Sequence, residues 1–202
     1  MAPIATHSFP TIQLLKTPTR DSWVSEALAD LDTVLLDHSH CERKAAGVAM
    51  NLMFRYPSSE KLVYALTEIA QEELSHFAQV NQWLAQRGVP LRPLPAPPYG
   101  AGLSRQVRKQ EPERMLDSLL VAALIEARSH ERLGLLANHC ADAKLAGFYR
   151  SLMASEARHY GIYWVLATTY FDRDIVSPRL EALAQVEGDL LAIPYPEPRI
   201  HS

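Results

Sequence analysis

Glu72-Glu73-Leu74-Ser75-His76-Phe77 and Ser155-Glu156-Ala157-Arg158-His159-Tyr160 each carry a Glu-x-x-His tetrad within a stretch of helical periodicity. Residues three apart on a helix share a face, so each tetrad points a carboxylate and an imidazole the same way. One tetrad alone means little, because 14 Glu and 8 His among 202 residues give about half a match by composition. Each tetrad has a companion, however. Glu42 lies 31 residues before Glu73, and Glu126 lies 30 before Glu156.

Around these motifs the apolar spacing predicts helices, with no β-branched run in period-two alternation, so the fold class is all-α. A first helix is expected from the Asp21-Ser22 cap to about Tyr56, where Pro57 stops it. Ser58-Ser59 caps a second, to about Arg87, ended by Gly88 and Pro90. Residues 88–112 hold six prolines and no helical period, which predicts an extended connector. It is long enough to return along the whole second helix, which makes helices two and three parallel. A third helix is expected over about Glu113 to His139 and a fourth over about Asp142 to Phe171. Ser177-Pro178 opens a short fifth helix to about Glu187, and Ile193-Pro194-Tyr195-Pro196-Glu197-Pro198 reads as an extended tail strapped to the surface. The whole chain, 1–202, is read as one domain: an N-terminal arm over 1–20, a bundle over about 21–172, and a C-terminal helix and tail over 173–202.

A geometric test joins the motifs to the helices. In an antiparallel hairpin, residues equally far from the turn sit at the same height. The midpoint of Glu42 and Glu73 falls between Pro57 and Ser58, and that of Glu126 and Glu156 falls on Ala141, between helices three and four. Both turns follow from cap and breaker residues, not from the acids. The pattern therefore predicts a dinuclear carboxylate site inside a four-helix bundle, with one Glu from each of two helices and a Glu-x-x-His from each of the other two. Four buried carboxylates repel and are costly to desolvate; two divalent cations cancel them. Oxygen-rich ligation with one imidazole per ion suits iron first and manganese second.

Neighbouring residues have simpler expectations. His38 and His130 lie one helical turn from Glu42 and Glu126 and read first as hydrogen-bonded bundle histidines, with ligand support or proton relay as the alternative. Asp37-x-x-His40 imitates the tetrad without a partner and reads as solvated; Glu68 and Glu72 read as exposed charges, and Cys41 and Cys140 as inert small residues. Ala45, Ala46, Ala49, Ala122, Ala123 and Ala127 leave room beside the ions for a substrate, or else simply allow close helix packing.

Composition excludes several classes. Hydrophobic residues at 48% and charged ones at 21% argue against disorder, and no stretch of about 20 apolar residues predicts a membrane span. Twenty Lys and Arg against 23 Asp and Glu leave a net charge of −3, which gives no global sign of a nucleic-acid binder. Two distant cysteines and no secretory pattern predict the cytoplasm.

Taken with their flanks, Leu36 to Ala46, Glu72 to Phe77, Leu124 to Arg132 and Ser155 to Tyr160 resemble the bacterial tRNA 2-methylthio-N6-isopentenyladenosine hydroxylases, of the ferritin-like superfamily. The resemblance covers about residues 20–190. The six acids and histidines alone are shared with ferritins, rubrerythrins and quinone-ring hydroxylases; the flanking residues, the Pro-rich crossover and the length narrow it. It implies a ferritin-like four-helix bundle and a non-haem diiron monooxygenase that uses dioxygen to hydroxylate the isopentenyl group of a modified adenosine beside the anticodon. Glu42 and His76 would then hold one iron, Glu126 and His159 the other, with Glu73 and Glu156 bridging. An external electron donor, a reductase or electron-transfer protein, and tRNA are the implied partners, with the protein a monomer or small oligomer. Iron storage or peroxide scavenging, and hydroxylation of a small lipid or quinone, are the competing functions. For tRNA, the densest basic run, Ser104 to Gln110, marks Arg105, Arg108 and Lys109 as candidate phosphate contacts, unless it is a solvated connector end. Arg43, Lys44, Arg128 and Arg132 are the alternative surface.

Overall fold

Asp30 divides the first expected helix in two. In the computed structural model, which describes residues 14–202, α1 (Asp21–Ala29) ends at Asp30 and α2 (Leu31–Arg55) begins after it. Asp30 leaves the helical region (φ −138°, ψ 63°), and its side chain accepts a hydrogen bond from the Thr33 N–H, capping α2. The apolar spacing runs on across this break, so periodicity could not reveal it. Of the N-terminal arm expected over 1–20, residues 1–13 lie outside the described residues.

α3 (Glu60–Gln86) ends as expected at Gly88, whose φ of 69° suits glycine, with the Val89 N–H returning to the Leu84 carbonyl. Contrary to expectation, the connector is not wholly extended. It contains α4 (Pro98–Ser104), started by a proline at its first position. α4 packs on α7 (Arg173–Leu191), where Gly102 leaves the space filled by Leu190; a Cβ at Gly102 would come within 2.4 Å of that side chain. α5 (Glu113–His139) and α6 (Ala143–Tyr170) match the third and fourth expected helices, α6 being capped by Asp142. α7 begins before the Ser177-Pro178 start and runs past Glu187, with Pro178 inside it. The proline sits in the second turn, where the one hydrogen bond it removes belongs to an exposed stretch.

Two contacts fix the topology. Arg87 at the end of α3 reaches Asp32 at the start of α2 at 2.5 Å, so that pair is antiparallel. Tyr56 at the α2–α3 turn donates to Glu111 at the far end of the connector at 2.8 Å. The connector thus spans the bundle, and α5 starts beside the start of α3, parallel to it. The described residues contain no strand, and the bundle has the all-α topology expected.

Apolar layers flank the acidic positions in every long helix. One layer includes Leu52, Leu66, Leu120 and Leu166; the other includes Leu35, Val80, Leu136 and Leu152. The polar slab between them holds Glu42, Glu73, Glu126 and Glu156. The tail runs as expected over 193–198 and then goes further. Residues 193–198 run mostly over the surface, but Arg199, Ile200, His201 and Ser202 are buried in the bundle, because their main chain finds partners there.

Candidate metal centre

Glu42 comes from α2, Glu73 and His76 from α3, Glu126 from α5, and Glu156 and His159 from α6, all buried. They form two groups, Glu42, Glu73, His76, Glu156 and Glu73, Glu126, Glu156, His159, within each of which one donor atom per residue lies inside 4.8 Å of the others. Glu73 and Glu156 belong to both groups. All six residues singled out from the sequence are brought together.

The two imidazoles present the same nitrogen inward. Ser155 gives its hydroxyl hydrogen to the Leu152 carbonyl, so its oxygen, 3.3 Å from His76 Nε2, accepts from that nitrogen. The Glu72 carboxylate accepts from His159 Nε2 at 2.7 Å. In the neutral imidazoles, both Nδ1 atoms therefore carry a lone pair aimed at the carboxylates. His76 Nδ1 lies 3.6 Å from Glu42 and 3.9 Å from Glu73 and Glu156, and His159 Nδ1 lies 2.7 Å from Glu73. Neither nitrogen, nor Glu73 Oε1, has a partner in hydrogen-bond geometry. Buried orphans of this kind cost about 1–3 kcal/mol each. A cation at the focus of each group removes that cost, so the donor set fits a pair of divalent ions.

The titration of the cluster shows the same shortage of positive charge. Burial, and then the charge of Glu126, push Glu73 up to about 8. Burial raises Glu126 as well, and burial with the neighbouring carboxylates raises Glu156 well above the ordinary range. Glu42 is the exception: burial pushes it up, but His38 and His76 more than offset this and hold it below its usual value. Burial pulls His76 down, yet Glu42 and Glu73 outweigh it and lift the imidazole to about 10. Without cations, protons must take their place.

Glu72 and His38 support the cluster from outside. Glu72, read from the sequence as an exposed charge, is half-buried against His159 and Arg158, because it faces α6 across the bundle. Glu68 is exposed. His38 contacts Glu42 directly and stacks on Tyr149, whereas His130 is tied to the Met153 carbonyl and to the edge of Tyr160. Asp37 is not solvated but buried, accepting from the Ile200 N–H at 2.8 Å. Cys41 and Cys140 are free thiols, and burial pushes Cys41 well above the usual thiol range, away from reactivity.

A cleft of about 1170 Å3 between α2, α4 and α5 leads from the surface to Glu126. Val48, Leu52, Val121 and Ile125 line it, and Lys44, Arg55, Lys109 and Arg114 give it a basic character. Of the six alanines only Ala45 and Ala122 line it; Ala46, Ala49, Ala123 and Ala127 are packed in the core. Arg108 also lines it, but its guanidinium is engaged with Asp117 at 2.8 Å. Arg105 and Arg43 are exposed and not part of the cleft wall. Arg128 and Arg132 are fully buried, Arg128 on Glu187 and Arg132 on main-chain carbonyls, which removes both from any RNA surface.

Comparison with known proteins agrees with this geometry. The family profile for tRNA-(MS[2]IO[6]A)-hydroxylase (MiaE) matches residues 6–202. The tRNA 2-(methylsulfanyl)-N(6)-isopentenyladenosine(37) hydroxylase of Pseudomonas putida is 44% identical over 93% of this chain and 91% of its own length. The Salmonella typhimurium protein of the same name is 31% identical, covering 96% and 89%. Among solved structures, Protein 43 with aldehyde deformylating oxygenase activity from Synechococcus superposes with a TM-score of 0.92 at 52% identity, over 95% of this chain and 96% of that one. With a profile spanning nearly every residue and two relatives matched along most of their length, this chain belongs to the MiaE family of tRNA hydroxylases.

Proposed function

We propose that this protein is a diiron monooxygenase that hydroxylates the isopentenyl group of 2-methylthio-N6-isopentenyladenosine beside the anticodon of tRNA, with dioxygen as co-substrate. The observation that carries this is the cleft: basic residues along it, apolar residues within it and a carboxylate of the metal cluster at its floor. That sequence of surfaces matches a ligand with phosphates outside and an alkyl group inside. Anticodon-loop bases are already unpaired, so one base can enter without melting a duplex.

Glu42 and His76 would hold one ion and Glu126 and His159 the other, with Glu73 and Glu156 shared, as their membership of both groups supports. Two ferrous ions, when bound, supply electrons and open coordination positions for reducing dioxygen, chemistry that no side-chain acid or base can provide. The protein's part is to hold the donors and exclude water. Glu72 and Ser155 fix the imidazole tautomers, and the two apolar layers keep the slab dry. Lys44, Arg55, Lys109 and Arg114 would contact phosphate, with Arg105 outside the cleft and Arg108 held by Asp117. An external reductase or electron-transfer protein completes the cycle in the cytoplasm, with the enzyme a monomer or small oligomer.

The test is direct. Protein reconstituted with ferrous iron is given a chemical reductant, dioxygen and tRNA bearing the non-hydroxylated nucleoside. Gain of one oxygen atom on that nucleoside, read by mass spectrometry, is expected. Turnover of free iron or peroxide with no change in the nucleoside would favour storage or scavenging instead. A second reading, oxidation of an aliphatic aldehyde, draws on the activity in the name of the Synechococcus structure and on the apolar cleft wall. It leaves the basic residues without a role, and loss of the formyl carbon from a long-chain aldehyde would establish it.

A further inference from the structure

Arg199, Ile200, His201 and Ser202 are held in the core through their main chain. Trp23 Nε1 donates to the Arg199 carbonyl at 3.0 Å, and the Ile200 N–H donates to Asp37 at 2.8 Å. Arg132 donates to the carbonyls of Ile200 at 2.6 Å and Ser202 at 2.8 Å. Its guanidinium is fully buried, lies 4.5 Å over the Trp23 ring and also donates to Thr19 Oγ1 at 3.2 Å. A buried cation that relies on carbonyls is tolerable only while those hydrogen bonds are kept. The position of this segment is therefore over-determined rather than incidental.

What the segment delivers is the His201 side chain. The ring stacks on Tyr99, with centroids 4.8 Å apart and an interplanar angle of 11°. Its Nε2 lies 3.3 Å from Ser129 Oγ, and its Nδ1 lies 3.7 Å from Cys41 Sγ. Two cavities meet at this point. One is the large cleft; the other, of about 20 Å3, touches Glu42, Glu73, Glu126 and Glu156 and has room for about one water. Among the described residues, only Cys41, Ala45, Ile125, Glu126 and His201 line both. These residues form a neck, and His201 has the one ring in it.

We infer that the Arg199–Ser202 segment is a wall of the substrate site, and that the ring of His201 sets how large an N6 substituent reaches the metal cluster. The inference rests on the function proposed above. The inner cavity is too small for an organic group, so the carbon to be oxidised must stop at the neck. There Ala45 and Ile125 give it apolar contact, and His201 gives it a flat face. Burial, and then the charge of Arg132, push the imidazole down to about 3, so that face is neutral at ordinary pH.

The test uses the full chain, reconstituted with iron, as His201→Ala, His201→Trp and His201→Phe. Two substrates are compared, anticodon stem-loops carrying the isopentenyl or the bulkier benzyl group on N6. His201→Ala should raise the benzyl-to-isopentenyl ratio of kcat/KM by about tenfold or more, the scale on which pocket volume discriminates. His201→Trp should depress both while metal content and melting temperature stay at parental values. His201→Phe keeps the bulk of the ring without its nitrogens and should keep the parental ratio. A second measurement needs no substrate: the rate at which azide reaches the oxidised metal pair, followed by absorbance, should rise in His201→Ala and fall in His201→Trp. If the parent does not hydroxylate either stem-loop, the proposed function fails, and the azide rates alone decide the neck. Unchanged azide rates in metal-loaded Ala and Trp variants would overturn the inference. So would a His201→Phe variant that behaves like His201→Ala. Should the alanine variant lose its metals, the Trp and Phe variants carry the same decision.

Discussion

The α2–α3 and α5–α6 hairpins carry the same pattern, a Glu on the first helix and a Glu-x-x-His on the second, yet their surroundings differ. α5 buries 17 of its 27 residues, against 10 of 25 in α2, because α5 packs on α1, α4, α6 and α7. The first hairpin instead leaves Met50, Phe54 and Tyr64 exposed. Repetition of a ligand pattern therefore says nothing about equal roles. Both hairpins hold the buried segment, the first through Asp37 and the second through Arg132, while the second also anchors α7 and contributes Glu126 to the floor of the cleft.

The sharpest way to break the comparison is to remove ligands. Glu73 and Glu156 belong to both groups, so Glu73→Ala or Glu156→Ala should lose both irons from a parent expected to bind about two per chain when loaded anaerobically. Glu42→Ala and Glu126→Ala each damage one group and should leave one ion. Metal analysis of the folded variants reads the difference, and a Glu156→Ala protein that keeps both ions would contradict the shared assignment.

Next in size is the anchoring of the second hairpin. Arg128 on α5 and Glu187 on α7 are both fully buried, 2.8 Å apart, and Tyr99 donates to the same Glu187. Arg128→Met leaves a buried carboxylate uncompensated and should cost about 3–5 kcal/mol in urea unfolding. Adding Glu187→Gln removes that charge while keeping an acceptor for Tyr99, and should recover most of the loss. The first hairpin is pinned by Asp37, which faces the buried Arg199 at 3.8 Å and accepts from the Ile200 N–H, but changes on its exposed face such as Phe54→Ser should fall within about 0.5 kcal/mol.

The outer partners of the ligands make a finer comparison. His38 touches Glu42 in the first hairpin, and Glu72, itself on α3, holds His159 of the second. Each alanine variant should lower metal affinity by about 10–100-fold. The loss should be greater for His38, whose side chain is 2% exposed, than for Glu72 at 38%, where water can replace the lost acceptor. Equal losses in iron titrations would mean that the two ends are supported alike.

Much of this was legible in the sequence, for a physical reason. Long amphipathic helices, their caps and the equal distances of Glu42 and Glu73, or Glu126 and Glu156, from a turn are local signals, and they suffice to bring six side chains together. What they missed depends on distant partners. The break at Asp30 lies within continuous apolar spacing. Glu72 acquires its role only from His159, 87 residues away, and Asp37 from Ile200, 163 away. Arg128 and Arg132 look like surface cations until Glu187 and the buried carbonyls are in place. The Pro-rich connector hid α4 because proline marks both loops and helix starts.

The smallest effect expected of a buried charge concerns the start of α5, where Asp117 ties the second hairpin to the connector and to α7. Asp117 is fully buried and accepts from the Arg108 backbone N–H and guanidinium and from Arg179, at 2.8–2.9 Å. Burial pushes its carboxyl up, but these two guanidinium groups outweigh it and hold the group at about 2, below an ordinary value of 3.8. A depressed carboxyl binds its proton more weakly in the folded state than in the unfolded one. Its contribution is therefore complete above the ordinary value and disappears as pH falls through about 4 to about 2. The shift corresponds to about 2 kcal/mol as an upper figure, since the Arg108 side chain is 43% exposed and water screens part of the attraction. Asp117→Asn should be less stable than the parent at neutral pH, and the gap between them should narrow by up to that amount between about pH 5 and pH 2. Urea unfolding of both proteins across this range measures the gap. A gap that stays constant with pH would show that Asp117 acts through hydrogen bonds alone and that its charge contributes nothing to the second hairpin.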